Sequence, residues 1–90
     1  MAEFRVIFSR NAEKDFEALN QKFKERFLEL ATVLKTSPVP ATQYDVIKLV
    51  SSQANYRIRI GHYRMQYKVF WEISEIQVHS IEWRKESTYK

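Results

Sequence analysis

The sequence predicts an α+β domain with two layers. The chain opens with a short alternating run, continues with a segment whose apolar residues recur at helical spacing, and closes with three more alternating runs. Helices that are followed by strands with short connections form one layer on a largely antiparallel sheet. The first strand must then join the sheet beside a later strand, because its apolar face would otherwise be exposed.

The first strand spans residues 3–8, since Phe4, Val6 and Phe8 share one face. Ser9 or Asn11 offers a side-chain oxygen that can cap the helix that follows.

The helical segment carries one apolar stripe, which predicts the core. The stripe consists of Phe16, Leu19, Phe23, Phe27 and Leu30. One bent helix and a two-helix hairpin both fit this spacing, and we favour a hairpin that breaks near Asn20. Pro38 and Pro40 end the second helix, because neither has an amide hydrogen to continue it.

Three alternating runs predict an antiparallel meander. The strands are Tyr56–Ile60, Tyr63–Trp71 and Ile76–Trp83, and the turns are Gly61-His62 and Glu72–Glu75. A short apolar segment, Tyr44–Val50, precedes them as an irregular strand.

The hairpin carries the clearest candidate site. Arg57 and Arg59 lie on the strand face opposite Ile58, and Arg64 opens the return strand. Arginine offers a planar fork of donors that matches a phosphate group. The alternative is that these arginines only keep an exposed strand soluble.

The tail is the second candidate. Arg84, Lys85 and Tyr89 follow the last strand. Trp83 and Tyr89 can stack on nucleic-acid bases. Alternatively, Trp83 belongs to the core and Tyr89 to a frayed terminus, and for Trp83 we favour the core.

Composition excludes several classes of function. The chain has 90 residues, which predicts a single domain over residues 1–90. It has no cysteine, so it holds neither a disulfide framework nor a thiolate zinc site, and its two histidines have no metal-ligand spacing. We expect no metal and no cofactor. No apolar run is long enough for a membrane span, and we expect a cytoplasmic protein.

The positive charge is concentrated in the second half of the chain. Residues 1–55 carry eight basic and seven acidic side chains, whereas residues 56–90 carry seven and four, giving a net charge of +4. A basic hairpin and tail indicate nucleic acid or an acidic partner.

These residues resemble the RelE/ParE superfamily of toxins from bacterial and archaeal toxin–antitoxin systems, and archaeal RelE in particular. The resemblance covers nearly the whole chain. The family's run Tyr-Arg-Ile-Arg-x-Gly-Asp-Tyr-Arg is similar to residues 56–64, and the family's ending is similar to Arg84-Lys85-Glu86 with a tyrosine near the end. Pro38-Val39-Pro40, followed by residues 44–49, extends the similarity.

The resemblance implies a ribosome-dependent endoribonuclease. RelE-type members cut messenger RNA in the ribosomal A site, where the 2′-hydroxyl attacks the adjacent phosphate and leaves a cyclic phosphate and a 5′-hydroxyl. By position, the implied catalytic residues are Arg64, Arg84 and Tyr89, and the implied phosphate-binding residues are Arg57, Arg59 and Lys85. The implied partners are the ribosome, messenger RNA and a RelB-like antitoxin.

Two of these positions differ chemically from the bacterial members, which carry lysines at the places of Arg57 and Arg59. Arginine effectively never loses its proton, so neither residue can be a general base. The base is then Tyr89, Lys85, or a group on the ribosome or RNA. A phenol beside several arginines has its anion favoured, so Tyr89 is the first choice. It follows Arg84 at a spacing one residue shorter than in the bacterial pattern.

Two other functions also fit the sequence. ParE-type members share the fold but poison DNA gyrase, a protein target. A plain RNA-binding module without chemistry would also use a basic hairpin. Loss of the tail tyrosine and a neutral hairpin face would have favoured the gyrase poison, and this chain shows neither.

Overall fold

A computed structural model describes residues 3–49 and 54–83 of the chain. The elements are β1 (Arg5–Phe8), α1 (Arg10–Glu17), α2 (Gln21–Thr36), β2 (Asp45–Lys48), β3 (Asn55–Ile60), β4 (Tyr63–Phe70), a 3-10 turn (Trp71–Ile73) and β5 (Glu75–Trp83). Within these ranges the strands form one five-stranded sheet in the order β1-β5-β4-β3-β2. Strand β1 runs parallel to β5, and the other pairs are antiparallel.

The predicted α+β fold is confirmed, with its N-terminal strand, helix hairpin and three-strand meander. Strand β1 joins the sheet beside β5, which partly buries the face that would otherwise be exposed. The apolar segment before the meander forms a regular strand, β2, which extends the sheet beyond β3.

Two capped N-termini separate the helices and confirm the hairpin. The Ser9 hydroxyl accepts a hydrogen bond from the Ala12 amide at 3.0 Å. The Asn20 side chain accepts one from the Phe23 amide at the same distance. Each cap satisfies an amide that has no partner within its helix, which stabilises the helix by about 1 kcal/mol.

The hydrophobic core lies between the helices and one face of the sheet. Its fully buried side chains include Phe27, Leu30 and Leu34 from α2, and Ile58, Met65, Tyr67, Val69, Ile76 and Val78 from the sheet. The Tyr67 hydroxyl donates a hydrogen bond to the Pro38 carbonyl at 2.7 Å, which ties the loop after α2 to the core. We call the opposite side of the sheet the open face, because both described helices pack on the core side.

A β-bulge in β5 sets which side chains reach the open face. Gln66 pairs with Ser80 and Tyr67 pairs with Val78, so His79 is an extra residue between the two pairs. The extra residue shifts the alternation. Ile81 therefore enters the core, and Glu82 faces the open side.

The expectation that Trp83 belongs to the core is wrong, since 57% of it is exposed. Strand β1 covers only the start of β5, as far as Val78, so no described strand flanks Trp83 on that side. Its ring packs edge-to-face on Tyr63, with 5.1 Å between the ring centroids, and its centroid lies 5.3 Å from that of the His62 ring.

No helix in residues 3–49 or 54–83 is both long and apolar enough to cross a membrane.

Candidate phosphate-binding surface

Four charged side chains form a row across the open face, with acids at both ends and arginines between them. The row is Asp45, Arg59, Arg64 and Glu82, each paired with the next across adjacent strands. Arg59 Nη2 lies 2.7 Å from Asp45 Oδ2. Arg64 Nε lies 3.6 Å from Glu82 Oε1. We call this set the charge row.

The charge row places two like charges side by side at its centre. Arg59 and Arg64 are direct cross-strand partners, and facing like charges destabilise a sheet. The two outer carboxylates offset this repulsion, but both ion pairs are partly exposed, and such pairs stabilise by only about 0–1 kcal/mol. A bound anion would stabilise the centre of the row more directly.

Arg64 has an unused donor. Its Nε is buried from solvent and has no hydrogen-bond acceptor among the described residues. The Glu82 oxygen at 3.6 Å is close enough for an ion pair but too distant for a hydrogen bond. A buried donor without an acceptor costs about 1–3 kcal/mol, so a small turn of the half-exposed side chain that brings Nε to a phosphate oxygen would remove a penalty.

Arg57 lies on β3 two residues before Arg59, in the next row of cross-strand neighbours away from the turn. Its cross-strand neighbours are Ile47 and Gln66, and it has no carboxylate partner within the described part of the chain. Its charge is therefore not compensated locally.

The three arginines line one depression on the open face. Its volume is about 250 Å³, and its lining residues are Asp45, Ile47, Arg57, Arg59 and Arg64. Pockets that enclose small-molecule ligands are usually about 300–1,000 Å³. A depression of this size with three guanidinium groups suits a phosphodiester group of a longer chain better than an enclosed ligand.

The structure thus brings Arg57, Arg59 and Arg64 together on one sheet face, as their spacing predicts. The roles assigned to them stay predictions. Arg84, Lys85 and Tyr89 lie outside the described residues.

Asp45 and Glu82 were not anticipated from the sequence. The alternation of β2 and β5 can indicate which face each residue occupies. Their pairing with particular arginines depends on strand register and on the bulge at His79, which the pattern does not specify.

The described tyrosines do not supply an acid–base group to the open face. Tyr44, Tyr56, Tyr63 and Tyr67 all belong to or pack against the core. Burial and, to a lesser extent, Tyr56 raise the pKa of Tyr67 far above its ordinary value. Burial, then the Glu29 carboxylate, raises the pKa of Tyr44. The chain has five tyrosines, and the remaining one is Tyr89.

Within residues 3–49 and 54–83, no three His, Cys, Asp or Glu side chains are grouped so that they could hold a metal ion. His62 lies in the β3–β4 turn and His79 at the bulge in β5.

Comparison with known proteins agrees with this fold. The family described as ParE toxin of type II toxin–antitoxin system, parDE, matches residues 6–86. RelE1 of Methanocaldococcus jannaschii, named as a candidate toxin, is 36% identical over 88 residues, covering 98% of this chain and 97% of that protein.

Two solved structures show the same fold. A chain of the archaeal RelE–RelB complex from Pyrococcus horikoshii superposes with a TM-score of 0.85 at 32% identity, covering 93% of this chain and 98% of that one. The isolated E. coli RelE toxin superposes with a TM-score of 0.76 at 24% identity, covering 93% and 87%.

The family match spans most of the chain, and the RelE1 similarity spans nearly all of it. The chain therefore belongs to the RelE/ParE family of toxins from type II toxin–antitoxin systems.

Proposed function

We propose that this chain, as a single toxin domain over its whole length, is a ribosome-dependent endoribonuclease that cuts messenger RNA in the ribosomal A site. The observation that carries the proposal is the buried Nε of Arg64, which has no hydrogen-bond acceptor among residues 3–49 and 54–83 and lies beside Arg57 and Arg59 in a depression on the open face. The similarity to toxins named RelE supports the same activity.

The arginines supply electrostatic stabilisation in this proposal. The 2′-hydroxyl of the messenger attacks the adjacent phosphate, the bond to the leaving 5′-oxygen breaks, and a 2′,3′-cyclic phosphate and a 5′-hydroxyl result. Negative charge builds on the phosphate oxygens during attack. Arg57 and Arg59 clamp the phosphate, and Arg64 directs its free donor at an oxygen.

The remaining groups come from the tail, and Arg84, Lys85 and Tyr89 are assigned from the sequence. Tyr89 takes the proton of the 2′-hydroxyl, because the other four tyrosines belong to or pack against the core. Arg84 stabilises developing charge and Lys85 binds RNA phosphate. Arg84 directly follows Trp83, whose cross-strand partner Tyr63 is the neighbour of Arg64.

The ribosome supplies what the domain lacks. Few acid–base groups are available, so cleavage depends on holding the messenger with its 2′-hydroxyl in line with the phosphate, and orientation alone lowers a barrier substantially. The protein therefore acts in the cytoplasm, where ribosomes translate.

A RelB-like antitoxin holds the toxin inactive. A groove of about 720 Å³ lies between β1 and the helices, with Val6, Phe8, Phe16 and Leu28 in its lining. Leu28 is 54% exposed. An antitoxin chain that orders on binding would bury this apolar surface and bring acidic side chains to the arginines.

The test is an in vitro translation reaction to which the full-length chain is added, with cuts mapped by primer extension. We expect cuts in the messenger only when ribosomes are present. Equal cutting of naked RNA would indicate an independent ribonuclease and would contradict the proposal.

The second candidate is a ParE-like toxin that binds DNA gyrase. It is favoured by the family match, which is to ParE, and by the carboxylates beside Arg59 and Arg64, which lower the net charge of the surface. A supercoiling assay with purified gyrase distinguishes the two. Inhibition of gyrase, with translation unaffected, would support this candidate, and RNA binding without cutting or gyrase inhibition would indicate a plain RNA-binding module.

A further inference from the structure

The open face carries a further cation, Lys68, that the proposed catalytic chemistry does not use. Beyond the charge row, the next row is Ile47, Arg57, Gln66 and Ser80. The third is Asn55, Lys68, Gln77 and Ile7, and the fourth is Phe70, Glu75 and Arg5. Lys68 thus lies on the same face as the arginines, two rows beyond Arg64.

The rows differ in how their charges are balanced. Carboxylates balance the arginines in the first and fourth rows. The charge row has its two ion pairs, and in the fourth row Arg5 Nη2 lies 3.3 Å from Glu75 Oε1. Arg57 and Lys68 are the two cations of the described open face without a carboxylate partner. The excess positive charge of this face is therefore concentrated in its second and third rows.

Lys68 is held in place without losing its charge. Its ammonium lies 5.0 Å from the centroid of the Phe70 ring, and its cross-strand partners Asn55 and Gln77 are neutral. A cation–π contact orders the side chain but, unlike an ion pair, leaves the positive charge in full. The ammonium keeps donors for an anion.

The row spacing suits a nucleic-acid strand. Rows that are two residues apart along a strand are separated by about 6.6–6.8 Å. Successive phosphates of an extended single strand are spaced similarly. Lys68 lies one row beyond Arg57 and two rows beyond Arg64. An RNA strand lying along the β3–β4 hairpin would place one phosphate at Arg59 and Arg64, the next beside Arg57, and the one after that near Lys68.

We propose that Lys68, held by Phe70, forms a second phosphate subsite that binds the messenger RNA strand beside the position of cleavage. The proposal rests on the proposed function for the identity of the ligand. Lys68 is a positioning residue: it binds a flanking phosphate and does not touch the reacting one.

The first test measures binding apart from cleavage. A single-stranded RNA oligonucleotide with a 2′-O-methyl group at each position cannot be cut, because no free 2′-hydroxyl can attack the phosphate. Its affinity for the full-length chain is measured over a range of salt concentrations. Each phosphate contact to a single strand contributes about 0.7 to the slope of log affinity against log salt. We expect Lys68→Gln to reduce that slope by about 0.7.

Matched variants separate a specific contact from a general loss of charge. Lys22→Gln removes one positive charge from exposed α2, on the other side of the sheet, and should leave the slope near that of the wild type. Lys68→Arg should restore the wild-type slope. Phe70→Leu keeps the charge but loses the ring contact, so it should weaken binding with less change in slope.

The second test uses cleavage on programmed ribosomes. Lys68→Gln should raise KM about tenfold, in line with the loss of one charged hydrogen bond, and leave kcat nearly unchanged. Melting temperatures must match the wild type. A kcat loss with unchanged KM would overturn the positioning role, and an unchanged salt slope would overturn the subsite.

The outcomes of the two tests distinguish a failure of the Lys68 subsite from a failure of the nuclease assignment. If the wild type does not cut RNA but the salt slope still depends on Lys68, the subsite stands and the nuclease assignment fails. If the wild type cuts and Lys68→Gln changes neither slope nor KM, the nuclease assignment stands and the subsite fails.

Discussion

Arginine at positions 57 and 59 limits what these side chains can do in the reaction. A guanidinium stays protonated at any relevant pH, so both residues can bind a phosphate but cannot accept a proton from a 2′-hydroxyl. The buried Nε of Arg64 adds a donor that has no hydrogen-bond acceptor in the described part of the chain and that a bound anion could satisfy. At the residue scale, therefore, the proposed mechanism uses the described surface to stabilise charge and takes proton transfer from elsewhere.

Tyr89 is the residue to test for proton transfer. Tyr89→Phe keeps the ring and removes the hydroxyl, whereas Tyr89→Ala removes both. If the phenol moves the proton, the Phe variant should be nearly as slow as the Ala variant, by about 10²–10⁴-fold in single-turnover cleavage. A Phe variant close to the wild type would show that the ring only stacks on a base.

Tyr67→Phe is the matched control for the loss of a tyrosine hydroxyl. It removes the hydrogen bond to the Pro38 carbonyl, so the free energy of unfolding should fall by about 0.5–1.5 kcal/mol. Cleavage by the folded protein should be unchanged, because Tyr67 is buried in the core. A large loss of cleavage here would mean that the assay reports folding rather than chemistry.

The β3–β4 hairpin is the element that aligns the arginines. Its two-residue turn fixes the register in which Arg59 faces Arg64. Gly61 has a φ of +58°, which L side chains rarely adopt, and a Cβ there would lie 3.0 Å from the Phe23 ring. That ring already packs on Tyr63 at 4.9 Å, so it has little room to move.

Gly61→Ala should therefore lower the free energy of unfolding by about 1–3 kcal/mol, as measured by urea denaturation. His62→Ala, at the next position, is the control and should change it by less than about 0.5 kcal/mol, because His62 is exposed and its φ is not positive. Equal effects of the two substitutions would contradict this account of the turn.

At the scale of helices and strands, sequence patterns predict where each element lies better than they predict which residues pair between strands. The turn at Gly61, the helix break at Asn20 and the alternation of Arg57 and Arg59 all follow from local chemistry, and the structure agrees with each. The pairing of Asp45 with Arg59 and the bulge at His79 depend on contacts between distant segments. The exposure of Trp83 depends on how far β1 extends along β5, which local patterning does not indicate.

At the scale of the whole molecule, the described residues form a sheet with both of their helices on one side. Apolar side chains remain exposed elsewhere, including Ile47 at 46%, Trp71 at 52% and Ile73 at 62%. A 90-residue domain buries a modest core, so a partner that covers such surface has a large effect on stability.

The antitoxin part of the proposal predicts such an effect. Co-expression with the open reading frame beside this gene should relieve growth arrest and give a co-purifying complex. At a free partner concentration of about 100 times Kd, the folded toxin gains about 2.7 kcal/mol, which raises the Tm by roughly 10–20 °C. Neither rescue nor a complex would contradict this part of the proposal.

The central claim is that the arginines of the open face stabilise the transition state of RNA cleavage. It is tested most directly by the single-turnover rate of messenger cleavage on programmed ribosomes, measured for the wild type, Arg64→Ala and Arg84→Ala. Arg10→Ala, which removes an exposed arginine from α1, is the control. We predict a loss of about 10²–10³-fold for Arg64→Ala and Arg84→Ala, with melting temperatures near that of the wild type and no loss for Arg10→Ala. Unchanged cleavage by folded Arg64→Ala and Arg84→Ala would contradict the claim.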